Sequence, residues 1–341
     1  MPTMRDIARA ASVSIGTVSN YFNNPDLVAE DTRQAIRQAI QQVGYHPNAA
    51  ARSLKTNQTL RLGLVPLISL EDNYSLDPGD YAFLEFLSGI NTAAAEAGYD
   101  VLLSAATSAA QEVPIYERLV GEHQVDGLIL MGMRAADERL RLLQESHFPF
   151  ICYGRGLQEP SYAYIDVDGA AGIEAAVDYL VAQGHTRMAF ITPPPGLACT
   201  VQRRQGFERG LQEHGLTLVP EYLEPGGFTE RDGQAAMHLL LDLPQPPTAV
   251  LTANDVCAFG AMQAVQSSGL QVGKDVSVIG FDDIRLASHW QPPLTTIAQP
   301  FRRIGALCAE NLIQCITHKD CLPQVLLEPN LVERQSVARL S

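Results

Sequence analysis

Ser14 and the six residues after it, Ile15-Gly16-Thr17-Val18-Ser19-Asn20, mix short polar groups with apolar ones. On a helix starting at Ile15, the hydroxyls of Ser14, Thr17 and Ser19 suit phosphate oxygens. The Asn20 carboxamide can pair bidentately with adenine N6 and N7, and Ile15 can touch a thymine methyl. Gly16 offers no side chain to a base and weakens a helix by roughly 1 kcal/mol relative to alanine. Catalytic chemistry finds fewer candidates. There is no G-x-x-x-x-G-K-[ST] phosphate loop, no G-x-S-x-G elbow and no H-E-x-x-H pair. Gly154-Arg155-Gly156 begins like a dinucleotide fingerprint, but Glu159 stands where its third glycine belongs. Cys152, Cys199, Cys257, Cys308, Cys315 and Cys321 form no C-x-x-C pair, which speaks against a zinc site or disulfide framework and for a reducing compartment. His185, between a helix and a strand, reads as a structural loop residue. The expectation is a chain that is not an enzyme and uses no metal or cofactor.

The polar run needs a helix-turn-helix to present it. Residues 4–45 predict three short helices: Met4–Ala11, Ile15–Phe22 and about Glu30–Val43, with Ile7, Val18, Phe22, Ile36 and Ile40 at core-facing spacing. Ser12 or Ser14 can cap the second helix, and Gly44 ends the third. A second helix held this way can enter a DNA major groove; the same pattern also suits a plain three-helix bundle. The first 60 residues hold six basic and four acidic side chains, a net +2, so the overall −14 leaves −16 on the rest. An acidic body repels phosphate and confines any DNA contact to the head.

Beyond residue 60 the pattern alternates. Apolar strand-like runs occur at 60–68, 101–105, 127–131, 150–153, 188–192, 249–253 and 276–281, with helical stretches at 81–97, 111–120, 137–145, 169–183, 200–214, 230–241, 255–268 and 300–316. Such alternation implies parallel sheets covered on both faces. Two sets imply two α/β lobes with a small-molecule site between them, beyond the strand carboxyl ends. No apolar run reaches the ~18–20 residues of a membrane helix, and the opening residues do not read as a signal peptide.

From Thr3 to Lys55 the chain resembles the LacI/GalR family of bacterial transcription regulators, on T-M-R-D-I-A-R-A-A-S-V-S-I-G-T-V-S-N, V-A-E-D-T-R and V-G-Y-H-P-N-A-A-A-R-S-L-K. Later segments are similar too: V-D-G-L-I-L at 125–130, G-H-T-R-M-A-F-I at 184–191, R-R-Q-G-F at 203–207, P-T-A-V-L-T-A-N-D at 247–255, D-V-S-V-I-G-F-D-D at 275–283 and P-P-L-T-T-I-A-Q-P at 292–300. The resemblance implies an all-α helix-turn-helix head (1–47), a hinge helix (48–58) and a two-lobed periplasmic-binding-protein-like effector domain with parallel sheets (59–341). Its first lobe would be about 60–161 with 291–320, its second about 162–290 with 321–341. It implies that Ile15, Gly16 and Asn20 meet bases and that Thr3, Ser14, Thr17 and Tyr45 hold phosphates. It further implies that Asn48, Arg52, Leu54 and Lys55 act in the minor groove, with Leu54 as an apolar wedge that kinks the DNA.

In the body the resemblance points to Arg203 and Asp282 as effector contacts, with Asn254 a third candidate and Phe83, Arg155, Thr192 and Phe228 around them. An Arg and an Asp on one cleft suit a polyol. Structural readings stay open: Asp282 and Asn254 can cap helices, Asp255 is the stronger cap candidate, and Trp290 reads as packing. The expected protein is a cytoplasmic homodimeric repressor. Its affinity for double-stranded operator DNA is set allosterically by a small molecule, a mono- or disaccharide, with no membrane partner. A nucleobase or phosphorylated metabolite is the alternative effector, and a sugar-binding protein without a regulatory role is a further one. No leucine-heptad tail follows Arg334, which favours a dimer.

Overall fold

The computed structural model of the 341-residue chain describes residues 2–45, 58–68, 81–318 and 321–340. It divides into two compact units, Met1–Thr59 and Leu60–Ser341. The expected hinge, with Asn48, Arg52, Leu54 and Lys55, lies outside the described residues.

In the first unit α1 (Met4–Ala10), α2 (Ile15–Asn23) and α3 (Glu30–Val43) close around Ile7, Ala8, Val18, Val28, Ile36 and Ala39. Their three- and four-residue spacing gives each helix one apolar stripe, and three stripes make one core. Ser14 is the cap of α2: its Oγ accepts the Thr17 N–H at 3.0 Å. Ser12 instead turns the chain between α1 and α2 with a left-handed φ of 55°. One 3-10 turn, Pro25–Leu27, stands between α2 and α3.

The second unit holds two six-stranded sheets. The first runs β11-β5-β4-β3-β1-β2 and is parallel throughout, built from β1 (Arg61–Leu64), β2 (Asp100–Leu103), β3 (Gly127–Leu130), β4 (Phe150–Tyr153), β5 (Tyr164–Val167) and β11 (Gln324–Leu327). The second runs β12-β10-β9-β8-β6-β7, built from β6 (Met188–Thr192), β7 (Leu223–Pro225), β8 (Ala249–Leu251), β9 (Ser277–Asp282), β10 (Thr295–Ala298) and β12 (Asn330–Val332). Only its β10–β12 pair is antiparallel.

Strand side chains alternate between faces, so each sheet feeds two cores. Leu62, Leu64, Ile129 and Ile151 pack with α4 (Tyr81–Glu96) and α11 (Phe301–Thr317), while Leu128, Leu130 and Cys152 pack with Tyr116 and Leu119 of α5 (Ala109–Gly121). The short α6 (Glu138–Glu145) adds Leu143 to the latter core. In the second sheet Phe190, Leu251, Ile279 and Phe281 face α7 (Gly169–Ala182) and α8 (Ala198–Glu213). Ile191, Val250 and Val278 face α9 (Glu230–Leu241) and α10 (Asp255–Ser267). Each fully buried Val, Leu, Ile or Phe contributes about 1.5–3 kcal/mol. Helix pairs approach closely through glycine. A Cβ on Gly89 of α4 would lie 2.0 Å from the Arg302 carbonyl, and one on Gly305 of α11 would lie 2.0 Å from the Phe86 carbonyl.

The lobe boundaries differ from those expected. The chain leaves the first sheet after β5, leaves the second after β10 to form α11 on the first lobe, and crosses again between β11 and β12. The crossings therefore fall near 168, 299 and 328, each later than the expected 161, 290 and 320. The cause is that β5, β10 and β11, as long as β3 and β4, carry Asp166, Thr295, Thr296 and Gln324, so they lack the apolar runs that mark the central strands. The edge strands β7 and β12 escape notice for the same reason.

Candidate functional site

Residues at or just beyond the carboxyl ends of β1, β3, β4, β5, β8, β9 and β10 line a cavity of ≈ 400 Å³ in the second unit. Parallel strands from two sheets end around one space, as the open-sheet rule requires. Of the seven expected contacts, Phe83, Arg155, Arg203, Phe228, Asn254 and Asp282 line it. Thr192 does not. It is 8% exposed at the end of β6, its carbonyl accepts the Gly226 N–H, and the lining resumes at Leu197, past the Pro193-Pro194-Pro195-Gly196 turn.

Arg203 is 9% exposed on α8. Its Nη1 donates to the Ala253 carbonyl at 2.7 Å, and its guanidinium lies over the Phe281 ring at 3.5 Å. Its Nε is buried and finds no acceptor among the described residues. The Nη2 of the same guanidinium makes no hydrogen bond among the described residues and is not one of the buried atoms, so it is the donor open to a ligand acceptor. Gly169 leaves the room, since a Cβ there would sit 3.2 Å from that Nε. Asp282 ends β9 with a φ of 122°, and Asp283 follows at 55°. Gln299 donates to Asp282 Oδ1 at 2.7 Å and accepts from the Tyr153 hydroxyl at 3.3 Å. Arg155 is tied by its Nε to Asp166 Oδ2 at 2.8 Å. Burial pushes the Asp166 carboxyl up despite that partner.

Asn254 holds the structural role expected of Asp255: its Oδ1 caps α10 on the Cys257 N–H at 2.8 Å, and its Nδ2 donates to the Phe228 carbonyl at 3.1 Å. Asp255 is fully buried and turns elsewhere. It accepts the Ile284 N–H at 2.8 Å and the Thr296 hydroxyl at 2.5 Å. Burial, reinforced by the neighbouring Asp282, pushes its carboxyl well above the usual range. Asp255 thereby holds the strained corner that aims Asp282. Trp290, read from sequence as packing, lines the cavity and stacks on Phe259 at 4.3 Å. Gln299, Tyr153 and Glu112 also line it; nothing in their spacing signals this, because distant strands bring them together.

Two backbone hydrogen bonds join the lobes beside this cavity. Met133 accepts the Ala198 N–H at 2.9 Å, and Gly196 accepts the Ala135 N–H at 3.1 Å, around an antiparallel bridge of Arg134 and Leu197. Gln202 adds two long contacts to the Arg155 and Gly156 carbonyls. Among the described residues no cluster of His, Cys, Asp and Glu could hold a metal ion, and no helix is long and apolar enough to cross a membrane.

In the first unit α2 presents Ile15, Gly16 and Asn20 to solvent, with Ile15 47% exposed. Ser14 is exposed and its Oγ lies 2.9 Å from the Thr17 hydroxyl. Thr3 is exposed but donates through both N–H and hydroxyl to Asp6 Oδ2, at 2.8 and 2.7 Å, which holds the Asp6 carboxyl below its usual range. Tyr45 packs near Phe22, ring centroids 6.0 Å apart. One face of α2 thus carries an apolar group, a carboxamide and hydroxyls, without an acidic side chain.

Residues 3–48 match the family described as "Bacterial regulatory proteins, lacI family", and residues 177–337 match a "Periplasmic binding protein-like domain". The chain is 33% identical, over 98% of both chains, to "HTH-type transcriptional regulator CelR" of Thermobifida fusca. Among solved structures it is similar to a "transcriptional regulator CelR-cellobiose complex", with a TM-score of 0.75 and 31% identity over 98% of this chain and 100% of that one. It is also similar to the lac repressor dimer bound to operator and the anti-inducer ONPF, with a TM-score of 0.87 and 28% identity over 99% of each.

Proposed function

The chain belongs to the LacI family of bacterial regulatory proteins, and from that premise we propose that it is a homodimeric, cytoplasmic repressor whose operator affinity is set by a sugar. Its relatives are transcriptional regulators rather than enzymes, and the chain carries out no turnover of its own. The observation that carries the effector reading is the buried Arg203, whose Nε finds no partner among the described residues, lining one aromatic-walled cavity with Asp282. A guanidinium donor and a carboxylate acceptor hold vicinal hydroxyls in a fixed plane, and a ring face packs on Phe228 or Trp290. A neutral polyol satisfies the open guanidinium donor without adding charge to a protein of net −14. The cellobiose complex of a relative supports the same class.

On DNA, α2 lies in the major groove with Ile15, Gly16 and Asn20 at base edges, and Thr3, Ser14, Thr17 and Tyr45 set register on phosphates. Asn48, Arg52, Leu54 and Lys55 act in the minor groove. Sugar binding changes how the two lobes close, hence how first lobes pair across the dimer and how far apart the hinges stand. Such coupling is typically 1–3 kcal/mol.

Fluorescence anisotropy on DNA from the gene's own upstream region, at one stated salt concentration, tests this. The expected result is tight binding shifted by one sugar from a panel of mono- and disaccharides. Tight binding moved only by nucleobases or phosphorylated metabolites refutes the sugar. Sugar binding without any preference for this DNA over random sequence refutes the regulator.

A further inference from the structure

The cavity extends along α8. Leu197 at the helix N-cap, then Cys199, Gln202 and Arg203, all line it. At 1.5 Å of rise per residue, the stretch from Leu197 to Arg203 covers about 9 Å. Arg203 and Asp282 form one polar pole of the lining, on the second lobe, and a second pole stands on the first lobe. Arg134 faces Leu197 across the bridge between the lobes and lines the cavity. Its guanidinium pairs with the Glu112 carboxylate, which is 1% exposed and also part of the lining. Glu112 takes a second bond, at 2.7 Å, from Arg139, whose other donors meet Asp137, Met131 and Gly132.

The members of this network differ in one respect. Arg139 spends its donors inside the protein and is 2% exposed, whereas the Arg134 side chain is 26% exposed. A guanidinium has five N–H donors in a fixed fork, and one carboxylate oxygen does not consume them. Glu112 therefore acts as a fixed support, and Arg134 as a donor directed at the space. Between the two poles the wall is apolar, with Met131, Met133 and Leu197. The cavity, ≈ 400 Å³, leaves room beyond one sugar ring, and its two polar groups stand on different lobes.

We propose that Arg134, held by Glu112, forms a second polar subsite that reads the second ring of a two-ring polyol whose first ring sits between Arg203 and Asp282. The proposal rests on the polyol reading above and adds to it the size of the ligand and the residue that measures it. Seating the second ring against the bridge also places it where the lobes touch, so that ring size and lobe closure are read by one contact.

Arg134→Ala isolates the claim, because Glu112 keeps its bond from Arg139 and the bridge at residue 134 is made by backbone. Titration calorimetry on the full chain with cellobiose and with glucose is the test. The expected result is that the wild type binds cellobiose at least tenfold more tightly than glucose. In Arg134→Ala the preference disappears and glucose affinity stays within twofold. A preference kept in Arg134→Ala overturns the subsite. So does an equal loss for both sugars, which would mark Arg134 as merely structural, and so does a wild type without preference. A wild type that binds neither sugar refutes the polyol reading itself, and the subsite falls with it.

Discussion

Arg203→Met removes every donor of this side chain while keeping most of its stem. Two consequences separate cleanly. The Ala253 carbonyl loses its 2.7 Å partner, and an unsatisfied buried acceptor costs about 1–3 kcal/mol. Loss of the cation–π contact with Phe281 adds about 0.5–2 kcal/mol, partly offset by sulfur–aromatic contact. For domains of this size about 2–4 °C accompanies each kcal/mol, so the melting temperature falls by several degrees. The second consequence concerns the ligand. A hydrogen bond from a charged donor contributes about 1.5–3 kcal/mol, so losing one offered by the guanidinium weakens binding of the proposed sugar effector roughly 10- to 150-fold. Calorimetry gives the affinity and a thermal melt gives the stability. Operator affinity without sugar stays unchanged, because the DNA-reading residues belong to a separate compact unit. A lowered melting temperature with affinity for the proposed sugar within twofold of wild type would refute the argument: Arg203 would then serve only the Ala253 carbonyl.

Asp255→Asn preserves an acceptor for the Ile284 N–H and turns the Thr296 contact round, the amide donating to the hydroxyl oxygen. The wild-type carboxyl is raised in the fold by burial, so above about pH 4 the folded state holds a proton that the unfolded state has released. Wild-type stability therefore declines, relative to Asp255→Asn, as pH rises from about 4 towards the folded pKa; parallel melting curves from pH 4 to 8 would contradict a buried neutral carboxyl. Gly305→Ala drives a methyl into the Phe86 carbonyl and is expected to cost about 1–3 kcal/mol or more in urea unfolding, a shift below about 0.5 kcal/mol being the contrary result. Gly16→Ala meets only Ser14 Oγ at 3.5 Å and is expected to stabilise α2 by roughly 1 kcal/mol; an unchanged or lower unfolding midpoint of the first unit would count against that.

The sequence is most legible where local chemistry decides the outcome. The bounds of α3 and the Gly44 stop follow from side-chain period and one left-handed glycine, and the structure keeps them. Central strands such as β3 and β6 announce themselves because both faces are buried and every residue but Thr192 is apolar. Strands β5 and β10 do not, because β5 spends Asp166 on the cavity and β10 spends Thr296 on Asp255. A strand that carries function loses the apolar signature by which strands are found, and the lobe crossings were displaced for that reason. The same holds for the site. Motif resemblance points to Arg203 and Asp282, whereas Glu112, Gln299 and Trp290 reach the cavity through tertiary packing that no local pattern encodes. Thr192 erred in the other direction: it lies at a strand end, but β7 and the proline turn keep it from the lining.

The strip joining Met133–Ala135 to Gly196–Ala198 is made of main chain on both sides. Its two bonds therefore depend on no side chain, and closure here is written into the backbone trace, with Gly196 required at its φ of 94°. The Ala135 and Ala198 amides are sheltered only while the lobes touch. Their deuterium uptake is thus a built-in gauge of how long the lobes stay apart, readable without a label, with or without sugar, and on or off DNA.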